Sequence, residues 1–390
     1  MTETASTILI RGAEVWSPAP RGRQDVLCGG GAILAVEAGL DAARPPGTRV
    51  IDGRGMKLLP GLVDGHVHIA GAGGEGGPAT RTPEMTLSQM IAGGTTTVVG
   101  LLGADGVTRN LEGLLMKAKG LRAEGVSAWI WTGAYQLPPP TLTGGVARDL
   151  ALVAEVIGVG EIAVADHRSS SPTVAELVKL AKEARLGGML GGKCGLVHLH
   201  LGDAEGGFAM IRAAVEGSEL GLAQFLPTHV NRTARVFAEA LDYGREGPVD
   251  VTASAWPYFQ EEEVKPSRAV RELLAAGVPP AHVTMSSDAC GSLPDFDAAG
   301  RLRRLASGRP AALWDETAAA VGEGLDLERA LALVTANPAR RLRLPGKGAV
   351  APGHDADLLL VDEDLRVRWV LARGAVMMED GEIRRRGAFE

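Results

Sequence analysis

From about residue 60 to residue 340 the chain repeats one pattern, a short apolar run followed by a stretch of helical periodicity. The apolar runs are GLVDGHVHI, TTTVVGLL, SAWIWTGAY, VGEIAVADHR, GLVHLHLGD, AQFLPTHVNR, VDVTAS and HVTMSSD. Helical stretches such as TPEMTLSQMIAGG, TRNLEGLLMKAKGLRAEG, SPTVAELVKLAKEARLGG and TARVFAEAL lie between them. Eight strand-then-helix units over about 250 residues predict an α/β fold, a (β/α)8 TIM-type barrel whose strand ends meet at one mouth.

The two ends of the chain have a different character. Residues 1–58 hold short strands bounded by Gly, Pro or Asp (STILIRGAEVW, DVLCGGGAILAV, RVIDGRGMKLLP), and strands return in DADLLLVDEDLRVRWVLARGAVMMEDGEI. The expectation is one small β-sandwich domain built from residues 1–58 and 345–390, with the barrel spanning 59–344. Asp380-Gly381 suits a hairpin turn.

Composition narrows the partners. The 53 glycines and 22 prolines accompany 45% hydrophobic residues, which points to tight turns rather than disorder. A net charge of −7 argues against nucleic acid or an anionic membrane as partner. Cys28, Cys194 and Cys290 form no CxxC pair, so a reducing, cytoplasmic setting is expected. The N-terminal MTETASTILIRG lacks the pattern of a signal peptide, and no apolar run reaches the roughly 18 residues of a spanning helix.

Chemistry concentrates where the strands end. His66 and His68 in DGHVH share one face of the first barrel strand through period-two alternation, and two neutral imidazoles there can share a metal ion. His200 closes LVHLHLGD, His229 closes FLPTHVNR and Asp288 follows VTMSS. A single strand histidine is ordinarily a packed core residue. Five ligand-type residues at strand ends that converge on one mouth are a metal site. His198 shares a face with His200 but lies one layer deeper, and is assigned to packing. His167 is a neighbour of the site rather than a ligand, and His282 and His354 carry no role.

Glu161 is the remaining acidic residue, alone in an apolar strand. A buried carboxylate costs several kcal/mol, roughly, unless something pairs with it. Four histidines and Asp288 suggest two divalent ions, which sit about 3.5–4 Å apart and need a bridging anion. Glu161, facing inward from strand four, would be that bridge, and the cations would remove its desolvation problem.

LPGLVDGHVH, the later strand-end His, His and Asp, and the tail NPARRL…KGAVAPGHDADLLLVD resemble the amidohydrolase superfamily along the whole chain. More finely, GGEGGPATRTPE, VVGLLG, TGAYQLP, DHRSS, GGMLGGKCG, LPTHVNR and SSDACGS are similar to stretches of the isoaspartyl dipeptidases, binuclear zinc enzymes that cleave β-aspartyl dipeptides. The resemblance implies metal ligands His66, His68, His200, His229 and Asp288. It implies substrate contacts from Glu75 to the α-amino group and from Arg168, Arg232 and Ser292 to the carboxylates and polar ends. Tyr135 would hydrogen-bond the scissile carbonyl oxygen. Gly73 and Ala104 match loop positions near the aspartyl carboxylate, although the family usually has Thr where Ala104 stands, so a hydroxyl contact is lost there.

Glu161 is the larger departure, because the family's usual bridge is a carboxylated lysine five residues before Asp-His-Arg. Neither Lys179 nor Lys193 lies in the right strand. The lysine's carboxylate carbon would sit about 3.5 Å farther from the backbone, so strand four must move inward. Gly160 reads as one extra residue before the bridge, and a bulge in GVGE would compensate for the shorter side chain.

The resemblance implies amide hydrolysis in which a hydroxide bridging two divalent ions, with zinc favoured, attacks the β-carbonyl of the isopeptide bond. Asp288 would shuttle the proton, and Tyr135 would help stabilise the oxyanion. It also implies a homo-oligomer, an octamer being one form. Fold and metals alone do not fix the substrate. The alternatives are another amidohydrolase acting on cyclic amides or N-acyl amino acids, and a metal-binding scaffold without catalysis.

Overall fold

The computed structural model describes residues 7–297 and 299–390. Residues 1–6, included in the expected N-terminal sheet segment, lie outside the described residues. Strands from both chain ends join one nine-stranded sheet. Ile8–Trp16 pairs antiparallel with Pro20–Gly29 and parallel with both Arg49–Asp52 and Lys57–Pro60. Lys57–Pro60 then pairs antiparallel with Leu358–Val361, which stitches the two ends together. Strands from the two chain ends are therefore hydrogen-bonded within one sheet.

Leu358–Val361 shows why these ends are so apolar. Leu358 and Leu360 enter the sheet's own core with Ile8, Ile10, Val26 and Leu58, while Leu359 and Val361 face the main core. Alternate side chains of a strand point to opposite faces, so this strand is buried on both. Asp380 and Gly381 both have positive φ, 52° and 83°, as a two-residue hairpin turn requires.

All eight expected strands are present: β1 (Leu62–Val67), β2 (Thr95–Gly100), β3 (Ser127–Thr132), β4 (Val156–Val164), β5 (Val197–Leu201), β6 (Phe225–Thr228), β7 (Val249–Thr252) and β8 (Val283–Ser286). β1 to β6 form one parallel sheet in sequence order, and β7 and β8 form a parallel pair. β6 lies beside β7 and β8 beside β1, with the Asp288 amide donating to the His66 carbonyl at 3.1 Å. Helices follow the strands and carry their own end signals. Val174–Gly191 starts at a Thr173–Glu176 capping box and stops at Gly192 in the left-handed region. None of the described helices is long and apolar enough to cross a membrane.

Two features shape the mouth. An antiparallel hairpin, Ser292–Phe296 with Leu302–Ser307, lines it and is not among the strands read from the sequence. The β4–β5 ladder also slips: Val197 pairs with Val159, but Leu199 pairs with Ile162, leaving one extra residue on β4 beside Glu161. This is the irregularity expected at GVGE, and the Gly160–Glu161 peptide is cis. Glycine is required at 160, since a Cβ there would lie 2.6 Å from the His198 carbonyl oxygen and 2.7 Å from its Cβ.

Candidate metal centre

Glu161 is 1% exposed and points into the ring. Its two oxygens face different imidazole pairs. Oε1 lies 3.7 Å from His66 Nε2 and 3.6 Å from His68 Nε2, while Oε2 lies 2.9 Å from His200 Nδ1 and 3.5 Å from His229 Nε2. Asp288 closes the first group, with Oδ1 at 3.5 Å from His66 Nε2 and 3.1 Å from His68 Nε2. Both His229 and Asp288 hold positive φ, 61° and 54°, just past β6 and β8. Non-glycine residues in that region cluster at functional sites.

The donor set fits a cation. His66, His68 and Asp288 can offer ligand atoms to one ion, and so can His66, Glu161 and His229. Tetrahedral ligands at about 2.0–2.2 Å from zinc stand about 3.4 Å apart, close to the separations within the first group. His66 Nε2 and Asp288 Oδ1 are buried with no hydrogen-bond partner. Bare buried polar atoms are rare and mark a missing ion, water or ligand.

The charges fit as well. Burial would raise Glu161, but the imidazoles of His66 and His200 hold it well below the carboxylate range. Burial likewise opposes ionisation of Asp288, and the imidazoles of His66 and His68 beside it outweigh burial and hold that carboxyl low. His66, which burial would lower, is raised to about 9 by Glu161 and Asp288. His229 is pushed well below its usual value by burial, and its Nδ1 lies 2.7 Å from the Thr252 hydroxyl. A site that holds protons between its imidazoles and carboxylates exchanges them for a metal.

Outward from this centre, a cavity of about 740 Å³ opens past Tyr135, Glu75, Ala104, Arg168, Arg232 and Ser292. The Tyr135 hydroxyl lies 2.8 Å from His200 Nδ1, and the Arg168 guanidinium sits 5.3 Å from the Tyr135 ring centroid. Arg168 Nη1 is 3.4 Å from Glu75 Oε1, and Ser292 donates to Glu75 Oε2 at 2.9 Å. Gly73 is not among the residues that line this cavity, whereas Ala72 and Glu75 on either side of it are.

Three residues of this constellation escape a motif reading. Asp166, which sequence patterning treats only as the end of strand four, takes a bidentate pair from Arg168 at 3.0 and 2.8 Å. It also lies 3.0 Å from His200 Nε2 and 3.6 Å from Arg232. Glu263 lines the cavity with Oε2 buried and unpartnered, and burial pushes it up to about 8 against the pull of Arg232. His198, assigned to packing by its depth, hydrogen-bonds His66 at 2.8 Å.

The amidohydrolase family matches residues 58–385, and the chain belongs to it. Within that class, the chain is 40% identical to the β-aspartyl dipeptidase of the thermophilic, keratin-degrading Fervidobacterium islandicum AW-1, solved in complex with β-Asp-Leu dipeptide. That superposition covers 97% of this chain and 98% of the other, with a TM-score of 0.90. Dihydropyrimidinase from Brevibacillus agri NCHU1002, 17% identical with a TM-score of 0.66 over 98% of this chain and 97% of the other, shares the fold. Among curated relatives, allantoinase of Rubrobacter xylanophilus is 27% identical across 87% of this chain and 81% of its own length. Adenine deaminase of Deinococcus deserti is 29% identical over 96% of this chain, which spans only 60% of that protein.

Proposed function

We propose that the protein hydrolyses the isopeptide bond of β-aspartyl dipeptides at a centre of two divalent ions, with zinc favoured. The observation that carries this reading is the paired environment of Glu161, one oxygen toward His66 and His68 and the other toward His200 and His229. The likeness to the Fervidobacterium dipeptidase supports the substrate class. We also take residues 59–344 as a (β/α)8 barrel, 1–58 with 345–390 as the sheet domain, and the enzyme as a cytoplasmic homo-oligomer.

His66, His68 and Asp288 would hold one ion, His200 and His229 the other, and Glu161 both. When bound, the ions supply positive charge that acidifies the attacking water and polarises the scissile carbonyl. Asp288, ionised, accepts the water's proton at a carboxylate oxygen and returns it to the leaving amine nitrogen. Tyr135 keeps its proton, because burial raises it well above 10, and so donates from its hydroxyl to the developing oxyanion.

Glu75 presents an anion to the substrate ammonium, while Arg168 and Arg232 meet its carboxylates. Asp166 holds Arg168 through Nε and Nη2, which fixes the guanidinium plane and leaves Nη1 to turn from Glu75 to a substrate carboxylate. Ala104 offers only its backbone at the aspartyl carboxylate.

Steady-state kinetics on β-Asp-Leu against hydantoin, dihydroorotate, N-acetyl amino acids, allantoin and adenine tests this reading. Turnover of β-Asp-Leu with kcat/KM above all the others is expected. Turnover of a cyclic amide or adenine with none of β-aspartyl dipeptides would overturn it.

A further inference from the structure

His198 lies beneath the metal-ligand candidates, and its two ring nitrogens have different partners. Nδ1 is 2.9 Å from the Leu226 carbonyl oxygen, which can only accept, so Nδ1 carries the hydrogen. No carboxylate among the described residues pairs with this buried ring, which is therefore neutral and bare at Nε2. That Nε2 is 2.8 Å from His66 Nδ1. His66 must then donate from Nδ1 in either charge state, so Nε2 is the nitrogen whose lone pair a cation takes once its proton leaves. His66 Nε2 is the buried, unpartnered atom that faces Glu161 and Asp288.

We infer that His198 is a positioning residue which, through its hydrogen bond to His66, fixes the tautomer and ring plane that aim His66 Nε2 at a divalent cation. Packing alone would demand shape and leave the nitrogens indifferent. Here the chain builds a mount for the ring. Trp131 stacks on His198 with centroids 4.8 Å apart and planes at 17°, and its Nε1 donates at 3.0 Å to the carbonyl of Gly65, next to His66. Two glycines of β4 make room: a Cβ at Gly158 would lie 2.3 Å from Trp131 Cζ3, and one at Gly160 would strike His198. The slip that brings Glu161 inward thus occurs against the residue that orients His66. Partners that fix the outer nitrogen of a ligand histidine typically govern metal affinity 10–100-fold.

The inference rests on the cation-seat reading of His66, His68 and Asp288, and not on the substrate. Its test is metal affinity of the full-length apoprotein, measured by Zn2+ titration against a competing chelator and by the visible absorption of bound Co2+. H198L is expected to bind its first Zn2+ about 10- to 100-fold more weakly than wild type. H198Q, whose amide oxygen can accept from His66, should recover most of that loss. H198N, which is long enough to meet Leu226 but too short for His66, should not, and it reads the same quantity if H198L fails to fold. Wild-type affinity in H198L or H198N overturns the inference, as does an equal loss in H198Q and H198N, which would make the residue a packing element. A wild-type protein that binds neither ion overturns the seat reading, and the inference with it.

Discussion

The two sides of Glu161 are prepared differently. Toward Oε1, His66 Nε2 and Asp288 Oδ1 are bare and buried, and the His66 ring is held from behind by His198. Toward Oε2, His200 has both nitrogens engaged, Nδ1 with Glu161 and Tyr135 and Nε2 with Asp166 and Arg168. On the two-ion reading proposed above, the first seat has its donor atoms free, whereas the second would have to exchange partners when an ion arrives. Because those partners include groups proposed to meet the substrate, that reading couples occupancy of the second seat to the alignment of Tyr135 and Arg168.

Glu161→Gln should break the comparison outright by removing the anion common to both seats. We expect metal content to fall and kcat/KM on β-Asp-Leu to drop by at least about 10²- to 10³-fold, the range for losing an electrostatic group at a reacting centre. Elemental analysis beside the kinetics separates metal loss from chemistry. A bridge made of Glu also needs no carbon dioxide, so apoenzyme reloaded with Zn2+ should regain the same activity with and without bicarbonate.

Gly160→Ala tests the mount beneath the first seat. The new Cβ would meet the His198 backbone and Cβ at under 3 Å, and overpacking of this kind costs about 1–3 kcal/mol. A lower melting temperature is expected in calorimetry, together with weaker binding of the first ion. Unchanged melting and unchanged affinity would mean that β4 relaxes freely there.

Asp166→Asn should sharpen the comparison by touching only the second seat. It removes the charge that holds His200 Nε2, Arg168 and Arg232 together. An affinity loss of about tenfold or more is expected for the second ion, with the first unchanged. KM should rise as Arg168 loses its fixed fork. Equal weakening of both ions in a Co2+ titration would show that the seats are not independent.

The ligand candidates of both seats were legible in the sequence, for one physical reason. His66, His68, His200, His229 and Asp288 stand at strand ends, where period-two alternation and ring closure fix direction without knowledge of packing. Glu161 was legible as a charge that an apolar strand cannot carry alone, and Gly160 as a residue too many. Asp166 was not, because an Asp where a strand opens into a loop is usual, and its bonds to His200 and Arg232 depend on two other strands. His198 was read at the correct depth but not for its hydrogen bonds, which require the Leu226 carbonyl from the neighbouring strand. The hairpin Ser292–Ser307 was missed because its exposed, arginine-rich second strand carries little alternation.

Glu263 gives the smallest expected effect, and it acts from the cavity wall rather than from either seat. Burial raises its carboxyl to about 8, so it is mostly neutral at pH 7 and becomes an anion as pH rises through that value. The new charge then lies near Arg232, where it competes with the substrate's carboxylate for the same cation. The sign follows: kcat/KM should fall above about pH 8, by a few-fold, as expected of one charge acting across several Å at a partly solvated site. Because kcat/KM reports the free enzyme, this limb should be weaker in kcat, once substrate already holds Arg232. Glu263→Gln has no proton to lose and should keep kcat/KM level through that range. The same alkaline decline in Glu263→Gln would assign the limb to another group, and an absent limb in wild type would mean that Glu263 ionises too far from Arg232 to matter.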